Sequence, residues 1–147
     1  MDSLFPEKTH GETDLATLLK GLSPVVIATD FWYCLVTEAQ LKMLSLDDIY
    51  GLFREAEGIT VILNEPATGP AGLAEKVSKM QGPFAAITCQ VHSSLAAVGL
   101  TATIARALTQ HNISANVVAG FYHDHIFVAT EHADKACRVM QQLGLQS

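Results

Sequence analysis

The 147-residue chain has little charge: Asp, Glu, Lys and Arg make up 16% of it, against 49% apolar residues. That balance excludes intrinsic disorder, and the length suits one domain or two small halves sharing a core. Basic residues are the scarcer sign, 9 against 15 acidic for a formal charge of -6. Phosphate backbones and anionic lipid surfaces would repel such a chain on average, so neither nucleic acid nor membrane is expected as a partner. No apolar run approaches the roughly 18 residues of a membrane span. The first residues, with Asp2, Glu7 and Glu12, lack the basic-then-apolar layout of a signal peptide, so a cytoplasmic location is expected. Three scattered cysteines, Cys34, Cys89 and Cys137, with no CxxC pair, exclude a disulfide framework and a thiolate zinc site. They read as small buried apolar residues. P-loop, GxSxG, HExxH and GxGxxG motifs are all missing, and no two carboxylates are spaced to converge. Neither enzymatic activity nor a cofactor is expected.

The charge that is present is uneven. Residues 1–82 hold 6 basic and 12 acidic side chains, whereas residues 83–147 hold 3 of each. A half with so few charges needs its surface covered by the other half, by another subunit, or by both. The seam is the stretch 64–83, punctuated by Pro66, Gly69, Pro70, Gly72, Gly82 and Pro83. The division expected is a flexible start at 1–12, an N-terminal half at 13–65, a structured connector at 66–82 and a C-terminal half at 83–147. Leu73, Val77 and Met80 place a short helix inside the connector.

In the first half, Leu15, Leu18, Leu19 and Leu22 follow helical spacing and Ser23-Pro24 ends that helix. Val25–Ala28 and Phe31–Val36 read as two strands tightly joined at Thr29-Asp30. Ser45 is placed to cap a second helix with Ile49, Leu52, Phe53 and Ala56 on one face and Gly58 at its end, before a strand at Ile59–Leu63. In the second half, Phe84–Val91 is a strand, and Leu100, Ile104, Ala107 and Leu108 line a helix ending near His111-Asn112. Val117–Gly120 and Ile126–Ala129 read as strands. Ala133, Ala136, Cys137, Met140 and Leu143 line a last helix closed by Gly144. The orders α-β-β-α-β and β-α-β-β-α are two versions of one split β-α-β repeat, each lacking a strand that the other could supply.

Val98-Gly99-Leu100, Ile104-Ala105, Leu108 and Ile113-Ser114-Ala115-Asn116-Val117 resemble the glycine, helix and second strand of ACT domains. With Val91-His92-Ser93-Ser94-Leu95 and Tyr122-His123-Asp124-His125, this half is similar to short tandem-ACT proteins of unknown function, relatives of aspartokinase and CASTOR-type amino-acid-binding modules. Phe53–Thr60 resembles their N-terminal ACT-like partner, and the resemblance spans most of residues 14–143. It implies an α+β fold of two ferredoxin-like βαββαβ halves with antiparallel sheets that share or exchange a strand. It further implies a homodimer and a sensor that binds an amino acid or similar metabolite and reports to a separate protein. His92 and Val98 stand where many ACT domains have Asp and Pro, so the ligand chemistry is not simply copied.

An amino acid presents a carboxylate beside an ammonium, so its receptor needs backbone donors near an acidic acceptor. The loop from His92 to Gly99 leads into a helix whose first amides are open, and Ser93, Ser94 and Thr101 add hydroxyls. Asp124, the only acidic residue from Phe84 to Thr130, can meet the ammonium. The candidate site is therefore His92, Ser93, Ser94, Val98, Gly99, Leu100, Thr101, Gly120 and Asp124. Plainer roles stand beside this: the serines as bend and cap, Asp124 as a turn stabiliser. One alternative is a metal held by His92, His123 and His125. The other is an interaction module indifferent to ligands. Phe31-Trp32-Tyr33, with no basic flank, reads as strand core and interface.

Overall fold

The computed structural model describes residues 14–64, 69–91 and 98–146. The chain forms two compact units, Ala28–Phe84 and the combination of Met1–Ile27 with Ala85–Ser147. The boundaries fall inside two long strands, β1 (Pro24–Val36) and β4 (Lys79–Cys89), so each strand contributes to both units.

Within Ala28–Phe84, β1 is followed by α2 (Glu38–Lys42), β2 (Ile49–Glu55), β3 (Gly58–Asn64), α3 (Gly69–Ala74) and then β4. This is a βαββαβ unit with strand order β2-β3-β1-β4. β1 and β3 are antiparallel, from Phe31 opposite Asn64 to Val36 opposite Ile59. Because side chains alternate across a strand, Cys34 and Val36 share one face with Ile59, Val61 and Leu63, and there they pack with Leu73 and Val77. A capping box starts α2: the Thr37 hydroxyl accepts from the Gln40 amide at 3.1 Å, and the Thr37 amide donates to Gln40 Oε1 at 2.9 Å. Gly82 lets β4 lie against β1, since a Cβ there would sit 2.9 Å from both the Phe31 carbonyl oxygen and Trp32 Cε3.

The other unit contains α1 (Leu15–Lys20), the start of β1, the end of β4, α4 (Leu100–Gln110), β5 (Asn116–Ala119), β6 (Asp124–Ala129) and α5 (Ala133–Gln146). Its strand order is β1-β4-β6-β5. The closing strand that Ala85–Ser147 lacks is thus supplied by Pro24–Ile27, which confirms that the halves share strands. Ala85, Ile87 and Cys89 of β4 and Ile126 and Val128 of β6 meet Ile104 and Leu108 of α4, Met140 of α5 and Leu18 of α1 in one core. Asn112 takes a left-handed φ of 59° just after α4, the stop expected there.

Four local expectations are corrected. Thr29-Asp30 is no turn but the exposed middle of the continuous β1. Ser45 caps only a single 3-10 turn, Leu46–Asp48, and Ile49, Leu52 and Phe53 belong to β2 instead of a helix. The connector helix ends at Ala74, so Val77 and Met80 reach the same core from beyond it, Met80 from β4. Gly144 does not close α5, which continues to Gln146.

Candidate functional site

Cys89 ends β4, and the Gln90 amide is held by the Leu22 and Ser23 carbonyls, both at 3.2 Å. His92, Ser93 and Ser94 lie outside the described residues. Beyond them Val98 is exposed and Gly99 takes a left-handed conformation, φ 91° and ψ -10°, that a side chain would strain. Gly99 is the N-cap of α4 and brings no side-chain cap, although its carbonyl accepts the Thr103 amide at 2.9 Å. The N-cap residue therefore offers no side chain to the first-turn amides of the helix, the donor set that attracts an anion. Leu100 points into the core and anchors this turn, while Thr101 is exposed beside it.

β5 and β6 form an antiparallel hairpin with Ala119 opposite Asp124, closed by the Gly120 amide donating to the His123 carbonyl at 2.8 Å. Asp124 is one of two buried polar residues among those described. By strand alternation it shares the side of Ile126 and Val128, the side on which α4 and α5 pack. Its field reaches Cys89: burial first, then Asp124 and Cys137, push the Cys89 thiol up to about 12. Burial likewise raises Cys34 to about 11, so both are inert as the sequence suggested. The candidate residues thus separate into those buried on the helix side of the sheet, Leu100 and Asp124, and those exposed or half-buried, Val98, Thr101 and Gly120.

His125 faces the opposite side, where its Nδ1 is hydrogen-bonded to the buried Thr88 hydroxyl at 2.9 Å. Burial lowers its pKa, the neighbouring His123 lowers it further, and Asp124 partly offsets both. His123 Nδ1 donates to the Val91 carbonyl at 3.3 Å, tying the hairpin to the chain just before residue 92. Among the described residues no group of three or more His, Cys, Asp or Glu is placed to hold a metal ion. The sequence reading missed Thr88 as the partner of His125, although alternation along the Phe84–Val91 run would have put its hydroxyl on the face away from the helices. A cavity of about 310 Å³ beside α1 and α5, lined by Lys20, Ser23 and Gln141 among others, also went unread.

A βαββαβ unit and a second unit of the same make-up, its β-α-β-β-α run completed by the start of β1, each with its helices on one side of the strands, define the ferredoxin-like class of α+β proteins. ACT-domain models match residues 10–78 and 81–142, and the chain belongs to the ACT-domain family. A Vibrio cholerae protein of unknown function and possible transport role is 40% identical over 88% of this chain and 95% of its own, with a TM-score of 0.73. The Clostridium acetobutylicum aspartate kinase, an allosteric enzyme, matches 92% of this chain with 37% of its own at 13% identity and TM-score 0.62. The ligand-free regulatory subunit of the Thermus thermophilus aspartate kinase matches 84% of this chain and 98% of its own at 11% identity and TM-score 0.57. No curated protein matches the sequence. No helix among the described residues is long and apolar enough to cross a membrane.

Proposed function

We propose that this chain is a cytoplasmic sensor that reversibly binds an amino acid or similar small metabolite and reports by binding, not by turnover. The site is Val98, Gly99, Leu100 and Thr101 at the head of α4, with Gly120 and Asp124 from the hairpin, together with His92, Ser93 and Ser94, which lie outside the described residues. The observation that carries the reading is the first turn of α4 behind Gly99, an N-cap without a side chain, on the side of the sheet that also buries Asp124. Backbone amides take the carboxylate and Asp124 takes the ammonium, a pairing that rewards a zwitterion over either charge alone. Likeness to aspartate kinase regulatory chains supports a regulatory role. The signal passes to a separate protein through a homodimer, which covers exposed apolar strand residues such as Val25, Ile27 and Val118.

Isothermal titration with each of the twenty amino acids tests this. One saturable ligand is expected, with binding lost in Asp124→Asn while the fold is retained. Flat traces for all twenty would leave the chain an interaction module without a metabolite.

A further inference from the structure

We propose that the face of the Ala28–Phe84 unit opposite its core carries a ligand site of its own, for a small amphipathic monocarboxylate held between Tyr33 and Lys79.

Register and alternation assemble the site. Tyr33 lies opposite Ile62 and Leu35 opposite Thr60, one step out of phase with Cys34 opposite Val61, which belong to the core. Tyr33, Leu35 and Thr60 therefore project from the other face. The Ser78 amide donates to the Leu35 carbonyl at 2.8 Å and so fixes where β4 begins beside β1. Met80 packs on the core, which sends its neighbours Lys79 and Gln81 to the face that carries Tyr33 and Leu35. Side chains of three adjacent strands thus border one cavity of about 370 Å³.

Two contacts fix the apolar side chains of this face. Leu35 bends over Gly58, where a Cβ would lie 2.7 Å from its Cδ1. Tyr33 turns towards Phe84 and meets it edge-to-face with ring centroids 5.2 Å apart. At the ~30 Å³ that one water occupies in the liquid, the space between them takes about a dozen non-hydrogen atoms.

Its chemistry selects the ligand. Leu35 and the Tyr33 ring offer an apolar wall, while the Thr60 hydroxyl is already committed to Glu55 Oε1 at 2.6 Å. Lys79 is the only cation on the lining, and among the described residues no carboxylate pairs with it. Burial raises the Tyr33 phenol, which therefore stays protonated at neutral pH. An apolar wall with one cation at the rim suits an anionic head on a short apolar body.

The test is a ¹⁵N-¹H NMR titration of the full chain with 3-phenylpropionate, and with 3-phenylpropanol as the neutral control of the same shape. The acid is expected to shift the amides of Tyr33, Leu35, Thr60, Lys79 and Gln81 saturably. The alcohol should bind at least tenfold more weakly. Lys79→Met should erase that preference and Lys79→Arg restore it. No shift at about 10 mM acid, a tenfold excess over a millimolar Kd, overturns the proposal. So does equal binding of acid and alcohol, or shifts confined to residues 98–101 and 120–124, which would assign the acid to the α4 site instead.

Discussion

Replacing Gly144 by alanine sets two effects of opposite sign against each other. In an ordinary helix interior the change stabilises by about 1 kcal/mol, because glycine has more backbone freedom to lose. Gly144, however, lies in α5 where an added Cβ would stand 2.7 Å from the Leu19 carbonyl oxygen and 3.6 Å from Lys20 Cα. A relaxed carbon–oxygen contact is about 3.3–3.6 Å, so α1 and α5 must part by about 0.6–0.9 Å. The obstacle is main chain and cannot swing aside. The same carbonyl also accepts the Leu22 amide at 3.4 Å just past the end of α1. Overpacking of this kind costs about 1–3 kcal/mol, and its midpoint exceeds the helical gain by about 1 kcal/mol. For a chain of this size that net loss lowers Tm by about 3 °C. Differential scanning calorimetry of Gly144→Ala checks it, with Gln142→Ala on the exposed side of the same helix as a control expected to change little. A Gly144→Ala protein as stable as the parent, or more so, would refute the claim that α1 sits against this glycine.

Ile104 is fully buried in the core shared by α1, α4 and α5, so Ile104→Ala should cost about 2–5 kcal/mol, read as a lower urea midpoint at unchanged m. His125 has a folded-state pKa below its ordinary 6.5, so the unfolded chain takes up its proton first as pH falls. Stability from this group is whole above 6.5, declines below it and levels off under the folded-state pKa; urea midpoints followed from about pH 8 to about pH 5 should show that decline reduced in His125→Gln. With Cys89 held at about 12 and Cys34 at about 11, a thiol reagent at mildly alkaline pH should label neither until urea unfolds the chain. Fast labelling of either thiol in the native protein would contradict their burial.

Helices α1, α4 and α5 were legible because each buries a broad stripe, and Leu100, Ile104, Ala107 and Leu108 are all buried as their spacing required. The failures come from positions where the core makes no demand. Ile49, Leu52 and Phe53 have helical spacing, yet Leu52 is 44% and Phe53 72% exposed, so their periodicity records no packing. β2 lies at the end of the strand order, and its irregularity between Ile49 and Gly51 breaks the alternation that would have marked a strand. Ser45 did cap something, but only one 3-10 turn; the stronger capping box, Thr37 with Gln40, stood in the sequence unread. Thr29-Asp30 looked like a turn because both side chains are polar. They are exposed where β1 passes from one unit to the next, so neither core selects apolar residues there.

The two sites differ in legibility for a related reason. The α4 site announces itself locally: a glycine before an apolar helical stripe, and a lone acid in a hairpin, are visible within a few dozen residues. The Tyr33–Lys79 cavity has no such signature, since Thr60, Tyr33 and Lys79 meet only after β3 and β4 have taken their places on either side of β1. Register converts Tyr33 from a member of an aromatic run into the wall of a site. A shift of one residue would turn it to the core and send Cys34 out in its place. Sequence spacing specifies a helix face directly, but it specifies a site on a sheet only through pairing between strands far apart in the chain, and pairing is what the residues taken singly do not state.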